Sequence, residues 1–380
     1  MSLTMSPVAP TVAVPEERPL KIGMVAPPWF DLPPKGYGGT EAVVAALVDQ
    51  LVARGHEVTL IASGRPGTRA QHYVKVYEKA PSQLLGSSIM PELVLAAQAG
   101  RALKELDLDI VHDNSAAGPL LAAGRDEPTV VTMHGPVSGD NGDYYRRLGS
   151  TIQLVAISRA QMRQAPDLNW VGCVPNGIDV SSFPFRRTKE DWVLWIGRFC
   201  PDKAPHLAIE AARRAGRKIV LAGKLSEPPE KKYFDEVVRP MLGPDVQYVG
   251  QADAELKREL YSKAACLVFP IQWEEPFGMV MAESLACGTP VVATPRGSVP
   301  EVVRDGTTGF VTRGLDAFAR AINKVDQIDP AVCRRDAERR FDLPVMAAGY
   351  ERVYRNLLEG RRSIRPLASA GALASTARAA

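Results

Sequence analysis

No run in this chain approaches the roughly 18 apolar residues that a membrane-spanning helix needs. The opening stretch, MSLTMSPVAPTVAVPEERP, lacks the basic segment and apolar run of a secretory signal. Cysteine is scarce. Cys173, Cys200, Cys266, Cys287 and Cys333 are scattered, with no CxxC pair and no Cys/His spacing suited to a metal. They read as buried, reduced thiols, which points to the cytoplasm. A large excess of either charge is missing too. A net charge of +3 gives no reason to expect nucleic acid and leaves a phosphate-bearing small ligand open. Neither a GK[ST] loop nor a GxGxxG turn follows a strand, which argues against P-loop enzymes and dehydrogenases.

What is present is a repeated alternation of strand, loop and helix. At 380 residues the chain exceeds one comfortable core, so two domains are expected. KIGMVAPP, EVTLIAS, DIVHDN, TVVTMHG and IQLVAIS read as buried strands, interleaved with the helices TEAVVAALVDQLVARG and PELVLAAQAGRALKEL. The pattern lapses around VPNGIDVSSFPFRRTKED and restarts with WVLWIGR. The reading is an α/β protein of two doubly wound, Rossmann-like domains facing a central cleft. Residues 20–183 form the N-terminal domain and residues 184–342 the C-terminal domain. Residues 343–362 form a helix that crosses back to the first domain, while 1–19 and 363–380 are expected to be a disordered leader and tail.

Candidate chemistry sits in the loops at the carboxyl ends of strands. Gly36, Gly38 and Gly39 lie between the first strand and its helix, where glycine lets backbone amides approach a diphosphate. Arg198 and Lys203 hold the matching loop of the second domain, two cations suited to a leaving diphosphate. His134 ends a strand at the cleft edge. In WEEPFGMVMAESLACGTPVVATP, Glu275 and Glu283 stand eight apart across a Pro-Phe-Gly break. The triplet DLD at 107–109 precedes a strand, so it belongs at the amino edge, away from the cleft. No metal site is expected. The basic clusters YYRRLG and FRRTK read as solvated faces, allowing at most peripheral membrane contact.

Taken in order, GYGGTE, HG after the fourth expected strand, VPNGID, GRFCPDK, EEPFGMVMAESLACGTPVVATPRGSVPEVV and DGTTGFV resemble the retaining glycosyltransferases of family 4, which have the GT-B fold. The resemblance covers about residues 20–362. It implies a nucleoside diphosphate sugar as donor, a UDP-sugar favoured over GDP-mannose, and transfer with retention and no metal or other cofactor. By the same resemblance, Arg198 and Lys203 hold the diphosphate and Glu283 the ribose. Glu275 stands by the donor sugar, with the backbone of Phe277, Gly278 and Met279 against sugar and phosphate. Gly38 and Gly39 close over the diphosphate, and His134 lines the sugar pocket. The catalytic set is thus Glu275, His134, Arg198 and Lys203. The acceptor, whether small molecule, glycan or lipid-linked, stays open. The family usually has glycine after the lysine, where this chain has Ala204 and Pro205. The alternatives are another sugar-nucleotide enzyme of this architecture, such as an epimerase or phosphorylase, or a non-catalytic sugar-nucleotide-binding module.

Overall fold

The computed structural model describes residues 18–36 and 38–364; most of the expected leader and tail lie outside the described residues. Residues 18–20 belong to the ordered chain, where Arg18 pairs with Asp109 and Leu20 is buried. The first half builds β1 (Lys21–Val25), α1 (Gly39–Ala53), β2 (Glu57–Ala62), β3 (His72–Lys75), α2 (Met90–Lys104) and β4 (Ile110–Asp113). It continues through β5 (Thr129–Met133), α3 (Gly139–Leu148), β6 (Gln153–Ala156), α4 (Arg159–Gln164) and β7 (Trp170–Cys173). These strands form one parallel sheet in the order β3-β2-β1-β4-β5-β6-β7.

The second half runs β8 (Trp192–Ile196), α5 (Pro205–Arg214), β9 (Lys218–Ala222), α6 (Pro228–Tyr233), β10 (Val246–Tyr248), α7 (Ala254–Lys263) and β11 (Leu267–Phe269). Then come α8 (Met279–Ala286), β12 (Val291–Ala293), α9 (Val299–Val302), β13 (Gly309–Val311), α10 (Leu315–Ile322), α11 (Pro330–Phe341) and α12 (Leu343–Ile364). Its parallel sheet is ordered β10-β9-β8-β11-β12-β13. The architecture is the doubly wound pair that the sequence predicts. The central strands are continuous apolar runs because helices cover both faces of each sheet.

Strand order reverses between β1 and β4 in one sheet and between β8 and β11 in the other. At such switch points the loops diverge and leave a crevice. The two connections between domains lie side by side: the Ile178 amide donates to Phe341 at 2.8 Å, and the Leu343 amide donates to Ile178 at 3.1 Å. From there α12 packs onto α1 and β7 and buries Tyr350 and Tyr354. The Tyr354 hydroxyl lies 2.7 Å from His112 Nδ1, and Thr132 Oγ1 lies 2.7 Å from His112 Nε2 and 2.9 Å from the Tyr350 hydroxyl. Burial, aided by nearby His134, lowers the His112 pKa to about 3, so this knot is uncharged.

Several details differ from the sequence reading. β3 was not anticipated, because HYVK is a short, half-exposed edge strand. His134 therefore follows the fifth strand, not the fourth. The YYRRLG cluster belongs to α3, whose Arg146 is taken up by Asp167 at 2.6 Å and Asp143 at 3.0 Å. In FRRTK, Arg187 meets Asp329 at 3.7 Å. Cys266, Cys287 and Cys333 are buried free thiols, but Cys173 and Cys200 are only half-buried because each sits where a strand or its loop meets the domain edge. Asp107 and Asp109 do lie at the amino edge, bonded to Lys21 at the start of β1.

Candidate active site

The loop after β8 carries Arg198 and Lys203 into α5. A short turn at Pro201–Lys203 ends on Ala204, whose φ of 48° makes it the one non-glycine among the described residues in the left-handed region. Pro205 then starts α5, as a proline at the first helical position should. The backbone thus keeps the turn that glycine would serve, and Lys203 stays in place. Its Nζ lies 2.5 Å from Glu275 Oε2, 4.9 Å from the Trp273 ring and 5.6 Å from the Phe269 ring. Trp273 Nε1 donates to the same carboxylate oxygen at 3.0 Å. Assigned by resemblance to separate parts of a donor, Lys203 and Glu275 instead meet as a nearly buried ion pair. A buried charge demands a partner, which explains the pairing. The ammonium has three donors, so two remain for other oxygens. Arg198, on the same loop, is half-buried, and its guanidinium has no ion-pair partner among the described residues.

The Pro-Phe-Gly break works through Gly278. Its φ of 77° ends the loop and caps α8, and a Cβ there would strike Met281 at 2.6 Å. The amides of Met279 and Val280 consequently start the helix with no backbone acceptor among the described residues. Phe277 contributes differently: its ring is buried against Phe341, and its carbonyl accepts from Ser298 Oγ at 2.8 Å. Met279 packs against the cores of both domains, so this helix start sits at the domain junction. One turn along α8, Glu283 is buried, with Lys257 Nζ at 2.6 Å from one oxygen and the Tyr261 hydroxyl at 2.9 Å from the other. The carboxylate is thus held in place from α7.

Across the junction, the loops after β1, β4 and β5 line a cavity of about 360 Å³. Gly38, Gly39 and His134 share its wall. Gly38 precedes α1 with φ 141°, and a Cβ there would press on Pro34 at 2.9 Å. His134 Nε2 lies 3.0 Å from Asn114 Oδ1, and burial lowers the His134 pKa to about 4. Glu41, in the first turn of α1, lines the same cavity, and burial raises its pKa to about 7.

The structure therefore groups the expected residues into two sets: Arg198, Lys203, Glu275, Phe277, Gly278, Met279 and Glu283 on the second domain, and Gly38, Gly39 and His134 on the first. Sequence reasoning missed Trp273, Lys257, Tyr261, Asn114 and Glu41. Trp273 was visible as the residue two before Glu275. Lys257 and Tyr261 carried only the i,i+4 spacing of one helix face.

The model for glycosyl transferases group 1 matches residues 180–338, and that for glycosyltransferase family 4 matches residues 37–182. A phosphatidyl-myo-inositol mannosyltransferase of Mycolicibacterium smegmatis is 27% identical, the match covering 88% of this chain and 93% of that one. AviGT4, a glycosyltransferase involved in avilamycin A biosynthesis, superposes with a TM-score of 0.68 at 27% identity, over 90% of this chain and 99% of its own. Anabaena HepE, solved in complex with UDP-glucose, has a TM-score of 0.67 at 18% identity over 90% of this chain and all of its own, and shows the shared fold. With both domain models matched in tandem and the motif residues of each gathered at its switch point, the chain belongs to glycosyltransferase family 4 and is a glycosyltransferase of the GT-B fold.

Proposed function

We propose that the chain moves a hexosyl group from a nucleoside diphosphate sugar, a UDP-sugar in preference to GDP-mannose, with retention of configuration and without a metal ion. The observation that carries this reading is the buried Lys203–Glu275 pair, braced by Trp273 beside the start of α8. Leaving of the diphosphate builds negative charge on phosphate oxygens and positive charge on the sugar ring. Arg198, the two remaining donors of Lys203 and the first amides of α8 answer the negative side. Glu275 answers the positive side and orients ring hydroxyls. The pair also fixes Glu275, so the lysine is a positioning group as well as a phosphate ligand. Glu283, immobilised by Lys257 and Tyr261, offers its remaining lone pairs to the ribose. The neutral His134 lines the sugar pocket from the first domain, and Gly38 and Gly39 approach the diphosphate from the same side. The uridine preference is supported by the shared fold of a protein that holds UDP-glucose. Free cysteines and the lack, among the described residues, of a helix long and apolar enough to cross a membrane support a place in the cytoplasm.

The test is turnover of UDP-, GDP- and ADP-sugars with a chelator present. Release of one nucleoside diphosphate, with product of unchanged anomeric configuration, supports the reading. Dependence on added divalent metal would refute the metal-free part, and an inverted product the retaining part. Binding of a donor with no turnover would favour a non-catalytic module.

A further inference from the structure

The segment that joins the two domains lies across the carboxyl ends of α7 and α8, the helices that hold Glu283. The Glu190 amide donates to the Lys263 carbonyl at 2.7 Å, and the Arg186 amide donates to the Cys287 carbonyl at 3.4 Å. Between them stands Lys189, half-buried. Its Nζ donates to the Ser262 carbonyl at 3.0 Å, to the Cys287 carbonyl at 2.9 Å and to Thr289 Oγ1 at 2.8 Å. Ser262 is in the last turn of α7 and Cys287 ends α8, so both carbonyls are beyond the reach of helical amides. One cation thus caps two helices, and three neutral oxygens take up all three of its donors.

These contacts reach the backbone at both ends of one side-chain hydrogen bond. Thr289 Oγ1 donates to the Tyr261 carbonyl at 2.5 Å, and the Cys287 amide donates to the Glu283 carbonyl at 3.3 Å. Tyr261 and Glu283 are the pair whose side chains meet at 2.9 Å. The ammonium therefore sets the separation of α7 and α8 that this bond has to span. Arg334 on α11 caps α8 separately, donating to the Ala286 carbonyl at 2.9 Å, so α8 keeps one cation when Lys189 is changed.

We propose that Lys189 is a positioning residue for the donor: its ammonium locks α7 against α8, holds the Glu283 carboxylate where the ribose meets it, and releases that hold when the charge is lost. This rests on the assignment of Glu283 to the ribose made above. Burial lowers the Lys189 pKa to about 8. The Cys287 thiol and the Cys333 thiol of α11 face it, and burial pushes both up to about 12, so they keep their protons at pH 9. Arg186, Arg187 and Glu190 surround it on its own segment. Asp191, Arg217 and Asp326 share the wall of the adjoining cavity. From the helices come Arg334 on α11 and Lys263 on α7, the latter paired with Glu259 at 2.5 Å. Among the described residues no carboxylate pairs with the Lys189 ammonium. The charged clamp is therefore present at neutral pH and is lost as pH rises through about 8.

The experiment titrates the full chain with UDP, GDP and ADP by calorimetry and follows release of each from its sugar. Release by the wild type reads the transferase assignment by itself; binding by the variants reads Lys189. At pH 7 Lys189→Met is expected to weaken binding of the preferred nucleotide by about tenfold, while kcat changes by less than about twofold. The wild-type advantage over this variant is expected to shrink to about twofold at pH 9, a ratio that divides out the other titrating groups. Added to Tyr261→Phe, the substitution should cost less than about threefold, because the bond it acts through is already gone. If Lys189→Met does not fold, Thr289→Val carries the test. It cuts the link to the Tyr261 carbonyl and is expected to weaken binding in the same direction, with Thr289→Ser restoring it. Unchanged binding in a folded Lys189→Met or in Thr289→Val would overturn the proposal. So would an advantage that is the same at pH 7 and pH 9, or full additivity with Tyr261→Phe. If the wild type binds none of the three nucleotides, the transferase reading fails first and takes this one with it.

Discussion

At the scale of single residues, the proposed chemistry depends on how Glu275 is held. Two groups share one of its oxygens, the Lys203 ammonium and the Trp273 indole. Glu275→Gln keeps the shape and removes the charge, so its kcat is expected to fall by a factor on the order of 10²–10³, and because it strands the nearly buried Lys203 ammonium the thermal midpoint is expected to fall as well. Steady-state kinetics beside a melting curve checks both halves, and near wild-type turnover would remove Glu275 from the mechanism. Tyr261→Phe leaves one Glu283 oxygen less constrained; the loss of one hydrogen bond to a charged group, about 1.5–3 kcal/mol, is expected to appear as a higher donor KM. An unchanged donor KM would disconnect Glu283 from the donor. Ala204 tests a smaller effect. Glycine there would relieve about 1–2 kcal/mol of left-handed backbone cost, yet forfeit the burial of one methyl, about 0.8 kcal/mol. Ala204→Gly should therefore change unfolding free energy by less than about 1 kcal/mol. Glu275, Lys203 and Glu283 were legible in the sequence because acids and cations in apolar, glycine-broken loops need a reason to be there. Their partners were not, since nothing in Lys257 or Tyr261 on a surface-spaced helix announces a buried carboxylate opposite.

At the scale of elements, α12 ties the chain's end to the first sheet through His112. In the unfolded chain this histidine takes up a proton near its ordinary 6.5; in the fold it does so only near 3, because burial disfavours the charged form. Falling pH thus loads the unfolded state first, and stability is lost as pH drops below about 6.5. Glu41 acts in the opposite sense: with its pKa raised to about 7, it contributes stability at low pH that is lost as pH rises from about 4.5 through 7. His112→Asn isolates the histidine. Its cost relative to wild type should shrink by about 2 kcal/mol between pH 7 and pH 5, read by urea unfolding at each pH. A pH-independent cost would mean that His112 takes up its proton in the fold as readily as in the unfolded chain. The long helices and central strands could be read from periodicity, since their apolar spacing is sustained. β3 and α3 could not: one is a brief edge strand, and the other contains two glycines and forms because tertiary packing overrides propensity.

At the scale of the whole molecule, two sheets place their switch points on facing loops, with connections at Ile178 and Leu343 running side by side. α12 crosses back to complete the core of the first domain, so that core contains residues from both ends of the described chain. Tyr354→Ala should cost about 3–5 kcal/mol, the loss expected on emptying a large aromatic site, and weaken the first domain although residue 354 follows the second in sequence. Hydrogen exchange that loosened only the second domain would contradict this. The two-domain plan was readable from the restart of the strand-helix pattern after residue 190. The first-domain cavity was legible only in part: Gly38, Gly39 and His134 were placed at the cleft, whereas Glu41 and Glu92 looked like ordinary surface of α1 and α2. The most direct test of the central claim is nucleoside diphosphate release from a panel of uridine, guanosine and adenosine diphosphate sugars, comparing the wild-type chain with Glu275→Gln. The account predicts release from one donor by the wild type and loss of nearly all of it in the variant; no release from any donor, or equal release by both chains, would contradict it.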